Sequence, residues 1–303
     1  MPPDVMPANP SHRVTTDAIG QVFPPAGREA RIASLVPSLT ETLFALSLGA
    51  QVVARTGFCV HPRDGVAAVP KVGGTKDVRL DVLRALRPSH VLVNVDENTR
   101  ETVAALRRFV PHVVVTHPQE PEDNLVLFDL LGKLFGDAEG VPQAAAALGS
   151  RLRQVLSTIA TIADAGQPRA TALYPVWRRP WITVARDTYV SRCLARVGWD
   201  TLPDLCGGNG LDRDGSSRYP QFDWDAPWLD AVDCVLLPDE PYRFDAAHAA
   251  EVRDRLAARG RTVEVHRIPG DWASWYGVRA IDGLAQLAAA RQRAWAGAPA
   301  NGR

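Results

Sequence analysis

Apolar positions along this chain fall into two kinds of run. Short, nearly continuous stretches at 31–36, 51–54, 90–95 and 112–116 read as strands buried on both faces. The stretches 38–48, 79–87 and 98–109 between them carry helical periodicity. Strand then helix with short links predicts a parallel sheet covered by helices over residues 31–119. After Glu120 the pattern changes. Leu125, Phe128, Leu131 and Phe135 form one helical stripe, and Leu148, Leu152, Val155, Ile159 and Ile162 form another beyond a break at Gly136–Gly140. Residues 120–165 therefore predict a long linking backbone helix; the apolar repeat is too short and interrupted for a coiled-coil arm.

Strand-like runs return at 170–174, 235–237 and 263–266, with a helix at 245–259. The second half echoes the first: Val91–Val95 ends in Asp96-Glu97, and Val235–Leu237 ends in Asp239-Glu240, each followed by a helix and another strand. The expectation is an α/β chain of two Rossmann-like parallel-sheet lobes, 31–119 and 166–303, joined by 120–165. A chance echo between α/β segments is the competing explanation. Residues 1–30 are Pro-rich and predict a small hairpin around Gly20.

One segment carries more than pattern. The strand Ile32–Val36 runs straight into Pro37, after which Ser38 with Glu41 three residues on reads as a capping box, with Leu39, Leu43, Leu46 and Leu48 along one side of the helix. A strand ending at such a helix start presents free backbone N–H groups where open α/β sheets meet ligands. The same wording, with Val14–Phe23, Lys71-Val-Gly-Gly-Thr-Lys76 and Leu83–Val93, resembles the first lobe of the cluster A-III, or helical-backbone, periplasmic binding proteins. That family captures cobalamin, iron-siderophore or haem for ABC importers. The likeness in wording covers roughly residues 14 to 120; the second half matches in layout. It implies a fold of two lobes with a cleft between them, a metal-organic ligand, most of all cobalamin or a related corrinoid, and an ABC permease as partner. Acidic residues that dock the permease match Asp81 on the first lobe and fall beside Ala226, at Asp225, on the second.

Composition narrows the partners. The 303 residues are 46% hydrophobic and 22% charged, room for two cores, and Lys+Arg equals Asp+Glu at 34 each, so no electrostatic grip on nucleic acid is implied. No apolar run reaches the roughly 20 residues of a membrane span. The stretch Met1–Pro10 has no cationic start or apolar core, so it does not read as a signal peptide, whereas the resemblance implies a periplasmic protein. A missing leader, a mis-assigned start and a cytoplasmic role all stay open. Cys59, Cys193, Cys206 and Cys234 have no zinc-type spacing; Cys193 and Cys206 read either as a loop disulfide or as unpaired small hydrophobes. The second-lobe disulfide that cobalamin binders of the family carry to the C-terminal helix has no cysteine to form it here.

Ligand contacts are expected at strand C-termini: Pro37, Ser38, Phe58, Gly74 and Thr75 of the Gly73–Lys76 loop, and Glu97. A plain tight turn is the alternative for the glycines, and cobalamin-binding relatives carry an aromatic in that loop. On the second lobe, Trp177, Arg178, Trp181 and Arg186 offer stacking area and bidentate donors, against a surface turn with one tryptophan plugging the core. At Trp275 and Tyr276, before a last helix with Ile281, Leu284, Leu287 and Ala288 inward, the resemblance implies ligand contacts, with anchoring of that helix as the alternative. Cys59-Val-His61 is the best local metal-ligand pair, although the following His-Pro makes a turn the preferred reading, and the Asp212–Gly215 loop lacks the outer ligands of a calcium hand. No nucleophile elbow, zinc-protease or dinucleotide motif occurs, so no catalytic residue, resident metal or cofactor is expected. The expectation is a monomeric solute-binding protein. A cytoplasmic corrinoid or tetrapyrrole chaperone, sensor or enzyme on the same fold, and an iron-siderophore or haem receptor, remain as alternatives.

Overall fold

The computed structural model describes residues 14–166, 168–208 and 217–296, and the fold is α/β with two parallel four-stranded sheets. The chain divides into two compact units. Unit 1 holds Met1–His117 and Val126–Gly149; unit 2 holds Pro118–Leu125 and Ser150–Arg303.

Unit 1 opens with a two-stranded antiparallel hairpin, β1 (Thr15–Thr16) and β2 (Val22–Phe23), turning at Gly20, where φ is +82°. Asp17 fixes it, its carboxylate accepting from the backbone N–H of Ile19, Gln21 and Val115. The sheet contains β3 (Ile32–Ser34), β4 (Val52–Arg55), β5 (His90–Asn94) and β6 (His112–Thr116), in the order β4-β3-β5-β6. Helices α1 (Pro37–Ala45), α2 (Arg63–Val66), α3 (Leu80–Ala85) and α4 (Arg100–Leu106) make the crossovers. The apolar core on one face gathers Ala33, Leu35, Leu83, Val91, Val93 and Leu106, positions that the apolar runs nominate, together with Val72, which lies outside them.

The capping-box expectation at Ser38 does not hold. Pro37 takes the first helical position, where a missing N–H costs nothing, and Val36 becomes the N-cap with no side-chain bond. Ser38 then lies inside the first turn and is buried. Leu39, Leu43, Leu46 and Leu48 are fully buried as expected, although the helix ends at Ala45.

Residues 120–165 form two helices. α5 (Asp123–Leu134) and the 24-residue α6 (Val141–Asp164) are separated by a turn over the Gly136–Gly140 break, with Gly140 at φ +80°. Phe128, Leu131, Phe135, Leu148, Leu152 and Ile159 are buried; Leu156 turns inward where Val155 was expected.

Unit 2 contains β7 (Ala170–Leu173), α7 (Tyr189–Arg196), β8 (Trp199–Leu202), β9 (Cys234–Pro238), α8 (Ala246–Ala257), β10 (Glu264–Ile268), α9 (Asp271–Ser274) and α10 (Val278–Ala296), with sheet order β10-β9-β7-β8. In chain order both sheets therefore run second, first, third, fourth, with the switch in strand order between β3 and β5 in unit 1 and between β7 and β9 in unit 2. The echo in the sequence corresponds to one topology built twice. β8 was not expected: Trp-Asp-Thr-Leu is short and interrupted by Asp200, which leaves the strand to pair with Arg169.

Candidate functional site

A parallel sheet offers a ligand the loops that leave its strand carboxyl ends, above all at the switch in strand order. In unit 1 these loops are knitted by Asn98. Its side-chain N–H₂ donates to Thr75 O at 2.7 Å and lies 3.5 Å from Leu35 O, while its carbonyl accepts from the Asn94 N–H at 3.0 Å. The loops after β3 and β5 and the Gly73–Lys76 loop are thus tied by one buried amide. Gly73 has φ +103°, and a Cβ there would lie 2.2 Å from Asp77 O, so its role is the tight turn. Phe58, after β4, is 64% exposed, and its ring edge lies where a Gly74 Cβ would meet it at 3.3 Å. The loop that lacks an aromatic of its own therefore has one beside it. Pro37, Thr75 and Glu97 are half-buried on this edge; Ser38 has its side chain inside.

In unit 2, β7 runs into Tyr174-Pro-Val-Trp177. Trp177 is 43% exposed and packs edge-on to Tyr242, which follows β9, with ring centroids 5.5 Å apart. The Tyr242 hydroxyl lies 3.2 Å from His248 Nε2, which orients the phenol. Trp181 has the opposite fate. It is buried, stacked on Phe244 and edge-on to Trp224, within the core of Leu173, Phe222, Val235, Leu237 and Val252. Of the two tryptophans expected as ligand contacts, only Trp177 is exposed; Trp181 is held in that core, its backbone carbonyl accepting from the Phe222 N–H. Arg178 is bound to Glu251 at 2.8 Å, and Arg186 to Asp204 at 2.9 Å and to Thr201 O, so both guanidiniums hold the unit's own framework.

A third cluster joins the carboxyl ends of β7, β9 and β10. Glu240 Oε1 accepts from the Trp275 indole N–H at 2.5 Å, the Arg279 guanidinium covers the Trp275 face at 4.5 Å, and Arg279 binds Asp271 at 2.6 Å. Asp239 accepts from the Gly270 N–H at 2.8 Å, where a Cβ would strike Glu240 O at 2.6 Å, so glycine lets the two turns touch. Burial pushes the Glu240 carboxyl above the ordinary carboxylate range; the Trp275 N–H opposes this, and the neighbouring Asp271 and Asp239 add to it. Tyr174 lies beneath at 1% exposure, its hydroxyl raised by burial and by the charges of Glu240, Asp239 and Asp271. Trp275 is half-buried in this cluster, whereas Tyr276 is buried and packs edge-on to Tyr189.

Asp239, Glu240, Tyr242 and Arg279, which these clusters bring in, are not among the residues that the sequence nominates. The signal was there for two of them, since Asp239-Glu240 occupies the place that Asp96-Glu97 holds in the first half. Asp81, in the first turn of α3, and Asp225, just before the short 3₁₀ turn Pro227–Ala231, are both exposed. The four cysteines are free: Cys206 exposed, the others buried, with Cys59 bonded to Thr56. Among the described residues no three His, Cys, Asp or Glu side chains converge as a metal site, and no helix is long and apolar enough to cross a membrane. The Asp212–Gly215 loop lies outside the described residues.

Known proteins share this plan. The chain is 21% identical over 268 residues to a vitamin B12-binding protein of Vibrio campbellii, covering 86% of this chain and 89% of that one. The solved periplasmic vitamin B12-binding protein of Vibrio cholerae superposes with a TM-score of 0.70 at 17% identity, over 89% of this chain and 99% of the other. A periplasmic haem-binding protein from Pseudomonas aeruginosa superposes with a TM-score of 0.66 at 25% identity, over 86% and 91%. The model of the periplasmic binding protein family matches residues 32–256, most of both sheets. With its two parallel sheets of one topology, the chain belongs to the periplasmic binding protein family, a family of solute-binding proteins and not of enzymes.

Proposed function

We propose that this protein captures cobalamin or a related corrinoid reversibly and hands it to an ABC permease. The lobes 31–119 and 166–303, linked through 120–165, would each supply ligand contacts from the carboxyl edge of its sheet. The observation that carries the reading is a pair of exposed aromatic faces on these edges: Phe58 against Gly74 in unit 1, and Trp177 braced by Tyr242 in unit 2. A flat, bulky macrocycle takes its affinity from such stacking area. The vitamin B12-binding relatives support the corrinoid, and the exposed acids Asp81 and Asp225 support docking on a permease.

A haem or ferric siderophore is the second reading, favoured by the haem-binding relative. Incubating purified protein separately with cobalamin, hemin and a ferric siderophore, then separating free ligand by gel filtration, distinguishes them. The corrinoid reading predicts that the cobalamin absorbance travels with the protein. Co-elution of hemin or siderophore alone would replace it with the second reading.

A further inference from the structure

At the amino ends of β7 and β8, the opposite end of the unit 2 sheet from the edge described above, α6, α7 and α10 leave a cavity of about 180 Å³. The sequence explains why it is there. The inward stripe of α6 runs on from Leu152, Leu156 and Ile159 to Ile162, but Ala288 on α10 and Gly198 between α7 and β8 share that end with it. A methyl group and a hydrogen atom leave unfilled the space that larger side chains would close. Gly198 stands at φ +94°, where glycine is unstrained and other residues are not.

The cavity has an apolar floor and an open mouth. Ile159, Val197 and Ala288 are buried, Ile162 is half-buried, and Arg169, Arg196 and Ala163 are exposed at the rim. Its volume suits a single aromatic ring, since an apolar cavity of roughly 150 Å³ takes up benzene.

The rim decides what the ring carries. Arg169 gives Nε and Nη2 to Asp200, at 2.7 and 2.6 Å, and Nη2 also to Ala195 O, which leaves Nη1 without a partner among the described residues. Arg196 meets Glu122 through Nη2, which leaves its Nε and Nη1 likewise. Behind the wall, Arg291 is buried and donates to Gly198 O and Pro168 O, with Asp233 in its field. Asp200, Glu122 and Asp233 match the three cations one for one, so the rim attracts through directed N–H groups rather than net charge. A guanidinium donates and never accepts, and a carboxylate is the planar acceptor that takes several such donors at once.

We infer that this cavity is a binding site for a small aromatic carboxylate, with the ring against Ile159, Ile162, Val197 and Ala288 and the carboxylate on Arg169 and Arg196. The site stands apart from the function proposed above and needs no part of it.

The test titrates 4-fluorobenzoate and fluorobenzene into the full chain at neutral pH, read by fluorine NMR. Wild type, Ala288→Leu and Arg196→Gln are compared, with thermal melts checking each fold. Wild type should bind one 4-fluorobenzoate per chain saturably, with a dissociation constant of about a millimolar or tighter. Fluorobenzene, which lacks the acceptor, should bind at least about fivefold more weakly. Ala288→Leu fills the floor and should weaken both probes at least about tenfold. Arg196→Gln should weaken 4-fluorobenzoate about three- to tenfold and leave fluorobenzene unchanged. If Ala288→Leu does not fold, Ala163→Leu at the exposed rim takes its place with the same expectation. Absence of saturable 4-fluorobenzoate binding, or undiminished binding in a folded filled variant, overturns the site. Equal affinity for the two probes, or an Arg196→Gln loss shared by fluorobenzene, overturns the carboxylate as its ligand.

Discussion

The side-chain amide of Asn124 donates to the Tyr189 hydroxyl at 2.9 Å, and its carbonyl accepts from the Gly277 N–H at 2.5 Å. One fully buried residue at the start of α5 thereby fixes the starts of α7 and α10. Asn124→Ala leaves the Gly277 N–H and the Tyr189 hydroxyl buried without this partner. It should destabilise the protein by about 2–4 kcal/mol, measured by urea unfolding, since each orphaned buried group costs roughly 1–3 kcal/mol. A loss below about 0.5 kcal/mol would show that water replaces the amide without penalty.

Trp177 and Trp181 should separate cleanly. Trp181→Ala empties a site stacked on Phe244 and should cost roughly 3–5 kcal/mol of stability. Trp177→Ala removes a half-exposed ring, so the melting temperature should hold while the dissociation constant for cobalamin rises about five- to a hundredfold. Thermal melts with parallel titrations read both. Unchanged affinity in folded Trp177→Ala would take this ring out of the site.

How far the sequence alone leads differs between elements. The sheet of unit 1, three strands of the sheet of unit 2 and the inward stripe of α10 follow from apolar periodicity, which acts over neighbouring residues, and the hairpin follows from its turn at Gly20. The capping at Ser38 and the strand β8 do not follow. In the first, two good local rules compete, and proline at the first helical position displaces the serine cap. In the second, Asp200 breaks the apolar run, and only the long-range pairing with Arg169 makes it fit a strand. The site behaves alike: aromatic and arginine content singles out 174–189, but whether a ring faces the core or solvent depends on Phe222, Phe244 and Tyr242 far along the chain.

The stacked pair His90–His112 predicts acid sensitivity in unit 1. Burial, and secondarily the neighbouring His112, lowers the His90 pKa from 6.5 to about 4. Because the folded pKa lies below the unfolded one, the unfolded chain takes up the proton first. Stability is therefore full above pH 6.5 and is lost as pH falls toward 4, by on the order of 3 kcal/mol. Urea midpoints from pH 7 to 4 should fall for wild type and fall less for His90→Leu. Parallel profiles would contradict the assignment.

Gly73→Ala should damage the first-lobe loop. At φ +103°, with Asp77 O 2.2 Å from the added methyl, the turn cannot persist unchanged. Through Gly74 and Thr75 the distortion reaches Phe58 and Asn98, so cobalamin affinity should drop more than global stability does. Wild-type affinity in Gly73→Ala would show that this loop lies outside the site.

The central claim, reversible capture of a corrinoid, is tested most directly by isothermal titration of the purified protein with cobalamin. The account predicts saturable binding of one ligand per chain with a dissociation constant of about a micromolar or tighter. Absence of saturable binding to cobalamin and cobinamide by folded protein would contradict it.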